Sequence, residues 1–236
     1  MGSQELLDQT FVRRVALCDE DLAEASDLEA ASLDIHQMSV GDVGCVVWDA
    51  AIVLSQVLTR SEAFQDVTWC DTFVVELGSG TGLVGLAAAR LGCEVVLTDL
   101  PECMELMQLN CAANKSKLRG SARAAVLAWG GDVAQFVEST CSRRHIDLVL
   151  MADVIYYDAS IGPLLETLHA LCTQNTQIVM CYEDRTTGNK VELKEQFFRR
   201  AKQHFLVEEL PLEVAPEDYR CAEIHVVAMK LRDVAT

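Results

Sequence analysis

The stretch VVELGSGTGLVGLAAARLG, residues 74–92, decides the fold. It begins with an apolar run typical of a buried strand, and it ends in small apolar residues that favour a packed helix. Three glycines, Gly78, Gly80 and Gly82, separate the two parts. A glycine loop by itself is also consistent with a plain tight turn. Its place between strand and helix favours a ligand loop, because glycine lets the backbone turn sharply and approach a ligand closely.

Strand and helix patterns alternate from this loop towards the C-terminus. The apolar runs are nearly continuous, as expected for strands that are buried on both faces. The predicted strands are residues 72–77, 94–98, 123–128, 146–152, 176–181, 205–210 and 223–231. The alternation predicts an α/β fold: a Rossmann-like, seven-stranded, mostly parallel sheet with helices on both faces. No helix pattern separates the last two strands, so the last strand is expected to run antiparallel.

The first 43 residues differ from the remainder. Residues 10–17 and 32–38 predict two short strands, which gives an N-terminal β-hairpin extension over residues 1–43 and a single domain over residues 44–236. Between Val15 and Thr59 there is no Lys or Arg, but there are nine acidic residues. This acidic run is either a solvated loop or a docking strip for a basic partner.

Charge and composition narrow the classes of function. The chain carries 19 Lys and Arg against 36 Asp and Glu, a formal net charge of −17. Such a charge disfavours nucleic acid and anionic membranes as partners, and it suits a lysine-bearing protein surface, although ordinary solubility gives the same sign. No run resembles a transmembrane helix or a signal peptide. The ten cysteines form no Cys-x-x-Cys pair, so we expect reduced thiols and no metal site. We also expect a monomeric, cytoplasmic protein.

The glycine loop points to a nucleoside ligand that also carries a cation. In a parallel sheet, ligands bind outside the carboxyl ends of the strands. Asp99 ends the next predicted strand, where a carboxylate accepts hydrogen bonds from ribose hydroxyls. The spacing is Gly-x-Gly-x-Gly, and Glu76 stands two residues before the first glycine. A carboxylate there is unfavourable for a pyrophosphate but favourable for an amine or sulfonium, so S-adenosylmethionine is expected rather than a dinucleotide.

The segment from Glu76 to Gly82, together with Asp99, resembles the cofactor signature of seven-strand class I methyltransferases. Four further stretches resemble the methyltransferase-like protein-lysine N-methyltransferases: GCVVWDAAIVLS (44–55), VLAWG (126–130), DLVLMADVIYY (147–157) and CYEDRT (181–186). The resemblance covers residues 44–236. It implies S-adenosylmethionine as cofactor and a protein lysine as methyl acceptor. Among the family's substrates it favours the AAA ATPase valosin-containing protein or another chaperone.

The resemblance also implies catalytic roles for Asp153 and Tyr156, which form an Asp-x-x-Tyr motif after the fourth strand of the sheet. A lysine has a pKa of about 10.4 in water, so a proton must leave before its nitrogen can attack a methyl group. An acid would oppose that loss, so Asp153 is expected to position the cofactor or orient the amine. Tyr156 can offer its ring face to the cation. Alternatively, Asp153 caps a helix and Tyr156 packs in the core.

Other residues are assigned by their place in the predicted sheet or by the resemblance. The predicted cofactor contacts are Trp48, Glu76, Gly78, Gly80, Gly82, Asp99, Trp129 and Ala152. The predicted substrate contacts are Tyr157, Glu183 and Arg185. Trp129 can stack on adenine or pack in the core, and Glu183 and Arg185 can equally form a surface ion pair.

Two rival functions remain at this stage. A methyltransferase acting on a nucleic-acid amine would carry Asn/Asp-Pro-Pro-Tyr, whereas this chain has Val154 and Ile155 at the middle positions; a small-molecule amine is a further possibility. A catalytically silent methyltransferase-like binding module would have a broken glycine loop, and this loop is intact.

Overall fold

A computed structural model describes residues 6–7, 9–17, 32–39, 43–64, 67–142 and 144–233. The strands are β1 (Thr10–Ala16), β2 (Ser32–Met38), β3 (Phe73–Leu77), β4 (Glu94–Asp99), β5 (Ser121–Val126), β6 (Leu148–Ala152), β7 (Gln177–Glu183), β8 (Phe205–Glu209) and β9 (Ile224–Leu231). The α-helices are α1 (Asp49–Arg60), α2 (Leu83–Leu91), α3 (Met104–Asn114), α4 (Val133–Ser139), α5 (Asp158–Leu171) and α6 (Lys190–His204).

Seven strands form one mixed sheet in the order β5-β4-β3-β6-β7-β9-β8. β3 to β7 run parallel, and β9 lies antiparallel between β7 and β8. The predicted fold and the antiparallel last strand are therefore confirmed. β5 ends two residues earlier than expected, because Val126 pairs with Asp99, the last residue of β4. β3 and β6 are neighbours at the centre, where the connections reverse direction, and a ligand site is expected beside their carboxyl ends.

The sheet separates two apolar cores, as alternating side chains of its strands predict. Val74 faces a cluster that includes residues of α1, α2 and α3, whereas Val75 faces a cluster built with α4, α5 and α6. Both valines are fully buried. Each large apolar side chain that is buried in this way contributes about 1.5–3 kcal/mol to stability, so the central strands are held rigidly and the residues at their ends are well positioned.

The N-terminal hairpin, β1 paired antiparallel with β2, is stapled to α3 by two buried asparagines. The Asn114 side chain bonds both backbone groups of Asp34, at 2.9 and 2.8 Å. Asn110 does the same for His36 and also donates to the carbonyl of Thr81 at 2.8 Å. The hairpin is thereby connected to the glycine loop. The predicted boundary at residue 43 stays a prediction, and most of the acidic run lies outside the described residues.

The cysteines of the described residues are free thiols, and most of them are buried. Burial raises the pKa of Cys93 and of Cys172 to about 12, so these thiols are inert small apolar side chains. Within the described part of the chain, no helix is long and apolar enough to cross a membrane. The cytoplasmic location stays a prediction.

Candidate cofactor and acceptor site

The cofactor loop, Gly78 to Gly82, leaves β3 in a conformation that requires glycine. Its three glycines have φ values of 65°, 54° and 82°, which L-residues with a side chain rarely adopt. A Cβ on Gly80 would lie 2.5 Å from the carbonyl oxygen of Gly44, and one on Gly78 would lie 2.9 Å from the Trp129 ring. The loop is therefore packed closely from two sides.

Hydrogen bonds attach this loop to the end of β4. The backbone N–H of Ser79 donates to the carbonyl of Thr98 at 3.0 Å, and the Ser79 hydroxyl accepts from the Thr98 N–H at 2.9 Å. Asp99 accepts the N–H of Gly80 at 2.7 Å through Oδ2 and the N–H of Leu100 at 2.7 Å through Oδ1. Each carboxylate oxygen has a second lone pair, so Asp99 can hold the loop and accept a ligand hydroxyl together.

Glu76 lies beneath the loop. Its side chain is 2% exposed, and Oε2 accepts the N–H of Gly85 in the first turn of α2 at 3.0 Å. Burial raises the pKa of Glu76 to about 8, against the hydrogen bonds from Gly85 and Ser79. A Cβ on Gly85 would lie 2.7 Å from this carboxyl oxygen. Glu76 therefore supports the loop and the helix N-terminus, and a direct contact with the cofactor stays a prediction.

Trp129 connects the loop to the neighbouring strand end. Its half-buried ring lies against Gly78 and makes an edge contact with Tyr156, with 6.4 Å between ring centroids. The ring also packs on the core formed with α4 to α6, so core packing and a cofactor contact are compatible. Ala152 ends β6 opposite Cys181 of β7, and it places the next residue at the ligand edge of the sheet.

Asp153 follows β6 in a left-handed conformation with φ of 56°. Such a backbone is costly for a residue with a side chain and is concentrated at functional sites. The side chain, 10% exposed, pairs with Arg185, and Oδ1 accepts the N–H of Glu183 at 3.3 Å. Burial raises the pKa of Asp153, and the charge of Arg185 opposes that rise. The alternative of a helix cap is wrong, because α5 begins at Asp158 and Tyr157 is its N-cap.

Two tyrosines line the edge beyond Asp153. Tyr156 and Tyr157 are in edge contact, with ring centroids 4.7 Å apart. Tyr157 is 59% exposed, whereas Tyr156 is half-buried. The backbone carbonyl of Tyr156 accepts from the Lys190 ammonium at 2.7 Å, so the first turn of α6 fixes this segment. The three rings of Trp129, Tyr156 and Tyr157 are thus in successive edge contact, and Tyr157 is at the solvent end.

The structure brings Trp48 and Arg185 together across the sheet edge. The guanidinium carbon of Arg185 lies 4.6 Å from the centre of the Trp48 ring, and its Nη2 lies 3.2 Å from Glu183 Oε2. Arg185 therefore forms ion pairs with both Glu183 and Asp153. The predicted alternative of a Glu183–Arg185 ion pair is thus present in the structure. We call Trp48, Asp153 and Arg185, together with Tyr156 and Tyr157 on the segment that follows Asp153, the acceptor cluster; its role in binding the methyl acceptor stays a prediction. The sequence grouped Trp48 with the cofactor and Arg185 with the substrate.

Four supporting residues were missed from the sequence: Gly44, Ser79, Thr98 and Lys190. Thr98 donates its hydroxyl to the carbonyl of Glu76 at 2.6 Å and, with Ser79, joins the ends of β3 and β4. Ser79 and Thr98 are next in sequence to the motif residues Gly78, Gly80 and Asp99. This closeness in sequence could have identified them. Gly44 and Lys190 contact backbone atoms of segments distant in sequence, Gly80 and Tyr156 respectively, and no local pattern predicts such contacts.

Comparison with known protein families gives one match that spans most of this chain. A model described as lysine methyltransferase matches residues 27–204. The mouse protein N-lysine methyltransferase METTL21A is 37% identical over 166 residues, which is 69% of this chain and 72% of that protein. Mouse EEF1A lysine methyltransferase 3 is 32% identical over 236 residues, which covers 97% of this chain and 91% of that protein.

Solved structures share the fold at low sequence identity. Mitomycin 7-O-methyltransferase MmcR superposes with a TM-score of 0.54 at 13% identity, over 78% of this chain and 54% of that one. A chain of a fibrillarin/Nop5p complex gives a TM-score of 0.53 at 10% identity, over 85% and 94%. These likenesses support the arrangement of the sheet and carry no information on the acceptor.

Proposed function

Since the chain belongs to the lysine methyltransferase family, we propose that it methylates a lysine ε-amine of the AAA ATPase valosin-containing protein or of another chaperone. Its activity as an S-adenosylmethionine-dependent protein-lysine methyltransferase follows from the family. The observation that supports the assignment of residues is the position of Trp129, which touches Gly78 of the cofactor loop and Tyr156 of the acceptor cluster. Cofactor and lysine would therefore meet at the ends of β3 and β6.

The cofactor loop fits S-adenosylmethionine. Gly78 and Gly80 let the loop pack closely against Trp129 and Gly44, and Asp99 offers carboxylate oxygens to ribose hydroxyls at the loop tip. Trp129 supplies a ring for adenine, and the Glu76 carboxyl supports the loop from below. When bound, S-adenosylmethionine supplies the electrophilic methyl group of its sulfonium. The residues around the loop contribute binding and orientation, which is what a methyl transfer requires most.

The acceptor cluster is suited to receive a lysine side chain. Tyr156 and Tyr157 offer ring faces that attract the ammonium as it enters. Contact of the lysine with their apolar surface would then favour the neutral amine, because burial disfavours the charged form. The amine loses its proton to water and directs its lone pair at the methyl carbon. Asp153, held in place by backbone and by Arg185, orients the approaching group.

The proposed substrate rests on sequence resemblance and charge. The stretches 44–55 and 181–186, which resemble the methyltransferase-like protein-lysine methyltransferases, contribute Trp48 and Arg185 to the acceptor cluster. Among the members of that family, the sequence as a whole resembles most the enzyme that acts on valosin-containing protein. The net charge of −17 suits a basic surface around the target lysine. EEF1A is the acceptor named for one relative, and it is the alternative to test. The monomeric state stays a prediction.

A labelled-methyl assay tests the proposal. The enzyme is incubated with labelled S-adenosylmethionine and, in separate reactions, valosin-containing protein, EEF1A and cell extract, with Asp153→Ala as the inactive control. We expect label in methyllysine of valosin-containing protein or of another chaperone in the extract. Label in EEF1A alone would overturn the choice of substrate, and label in nucleic acid would overturn the class of acceptor.

A further inference from the structure

The acceptor cluster contains a carboxylate where a lysine must become neutral. An unpaired carboxylate close to a lysine stabilises the ammonium and raises the pKa of the amine, typically by about 1–3. Asp153 lies in the motif that leads to Tyr156, so its charge would oppose the deprotonation that methyl transfer needs. The contacts of Asp153 show how its negative charge can be compensated.

Arg185 holds that carboxylate from the side of Trp48. Its guanidinium pairs with Asp153 Oδ2 and contacts the Trp48 ring at 4.6 Å, and its side chain is 26% exposed. A guanidinium keeps its charge at every pH relevant to the enzyme. Partial burial on both sides of the pair limits screening by water and salt. Arg185 is thus a permanent cation fixed between an aromatic face and the Asp153 carboxylate.

Of the other titratable groups around Asp153, Glu183 shares the Arg185 guanidinium with it, whereas Lys190 and Lys194 bond other acceptors. Cys181, Tyr182, Glu183 and Asp184 face it from β7 and the following turn, and Lys190 and Lys194 face it from α6. Lys194 pairs with Asp184 at 2.6 Å, and Lys190 donates to the Tyr156 carbonyl at 2.7 Å. Asp184 also lies 3.2 Å from Nε2 of His225. Arg185 is the cation that bonds Asp153 in this arrangement.

We propose that Arg185 is a positioning residue that keeps the Asp153 carboxylate in an ion pair, so that the carboxylate does not hold the incoming lysine as an ammonium. The inference rests on the proposed function. The pair leaves Asp153 able to orient the amine by its remaining lone pairs. It also keeps a positive charge near the amine, and a like charge favours the neutral form. The enzyme thereby methylates lysine at a lower pH than a bare carboxylate would allow.

The proposal predicts a specific change in the pH–rate profile of a variant that lacks the Arg185 charge. Without it, Asp153 pairs with the lysine ammonium, and the pH at which the amine becomes neutral rises by about one or more. Below that pH the rate follows the neutral fraction, so turnover near pH 7 falls about tenfold for every whole pH step by which the profile moves. The loss is recovered as the pH rises, which a general loss of structure would not give.

The test compares Arg185→Met, which keeps an apolar stem, with Arg185→Lys and with Lys194→Met. Initial rates of labelled-methyl transfer into the acceptor of the wild-type enzyme are measured at saturating cofactor between about pH 6.5 and 10. We expect an alkaline displacement of the profile for Arg185→Met, and for Arg185→Lys, which retains the positive charge, a smaller displacement than for Arg185→Met. Lys194→Met removes another cation near Asp153, one that bonds Asp184 instead, and it should keep the wild-type profile.

Calorimetry with S-adenosylhomocysteine accompanies the rates, and Arg185→Met should keep the wild-type affinity within about threefold. A rate loss that is the same at every pH, or an equal displacement in Lys194→Met, would overturn the proposal. If Arg185→Met does not fold by circular dichroism, Arg185→Gln carries the same test. Absence of any labelled lysine with the wild-type enzyme would instead refute the proposed function.

Discussion

Two buried carboxyl groups, Glu76 and Asp153, lie at or just past the ends of neighbouring strands and differ in their partners. β3 and β6 are paired, with Glu76 beside Leu150. Burial raises the pKa of both groups. Glu76 is bonded to the N–H of Gly85 at the start of α2, whereas Asp153 is paired with the guanidinium of Arg185.

The different partners of the two carboxyl groups suit them to different roles at the same edge of the sheet. A carboxyl group held by backbone N–H groups can carry its proton at neutral pH without loss of its contacts, and it supports the cofactor loop. A carboxyl group held by a guanidinium stays charged and affects the charge of any amine beside it. We therefore infer that the β3–β4 side holds the cofactor and that the β6–β7 side sets the electrostatics of the acceptor.

We expect the largest effect from a substitution in the cofactor loop, which should impair cofactor binding. In Gly80→Ala the new Cβ meets the Gly44 carbonyl at 2.5 Å, and φ stays at 54°. Strain of about 1–3 kcal/mol and a displaced loop should weaken S-adenosylhomocysteine binding by about a hundredfold or more. Gly188→Ala is the matched control, because Gly188 has φ of 64° and open space around it. Equal losses of affinity in both variants would contradict the role of the loop.

Asp153→Ala should break the acceptor side. Methyl transfer is expected to fall by at least about a hundredfold, because positioning supplies most of this catalysis, while circular dichroism stays unchanged. Cofactor affinity is expected to fall by a smaller factor, since we predict that the methionine portion of the cofactor lies near Asp153. Asp184→Ala removes a neighbouring carboxylate that pairs with Lys194, and it should keep wild-type turnover. A folded Asp153→Ala that methylates at the normal rate would remove this residue from the site.

The same contrast explains what the sequence could predict. The seven strands of the sheet and its antiparallel last strand follow from local periodicity, and the fold confirms them. The cofactor roles of the glycine loop and of Asp99 follow from motif spacing and stay predictions. The ion pair of Asp153 with Arg185 joins positions 32 residues apart, and the contact of Arg185 with Trp48 joins different elements. These contacts depend on how β7 and α1 pack, and no local pattern encodes that packing.

Asp99→Ala should have an intermediate effect that is confined to the cofactor side. Charge-assisted hydrogen bonds to ribose hydroxyls contribute about 1.5–3 kcal/mol together, which corresponds to roughly ten- to hundredfold in the dissociation constant. Asp99→Asn keeps one acceptor oxygen and should lie between the wild type and alanine. Calorimetry that finds wild-type affinity in a folded Asp99→Ala would place the ribose elsewhere.

Glu76→Gln sharpens the comparison through stability. The pKa of Glu76 rises from 4.5 in the unfolded chain to about 8 in the folded protein, so the folded state binds more protons between those values and its stability falls as the pH rises. This contributes on the order of a few kcal/mol across the window. Glutamine carries no charge, so the variant should gain stability relative to wild type between pH 5 and pH 8. Urea unfolding at both pH values measures the gain, and a constant difference would contradict a protonated Glu76.

The division between the two sides is tested most directly by titrating Tyr156→Ala with S-adenosylhomocysteine. Tyr156 touches Trp129 by its ring edge and faces the proposed lysine path. Its removal should leave the cofactor dissociation constant within about threefold of wild type in a preparation that has lost methyl transfer. A dissociation constant that rises as much as in Asp99→Ala, or full methyl transfer with unchanged affinity, would contradict separate cofactor and acceptor halves at this edge of the sheet.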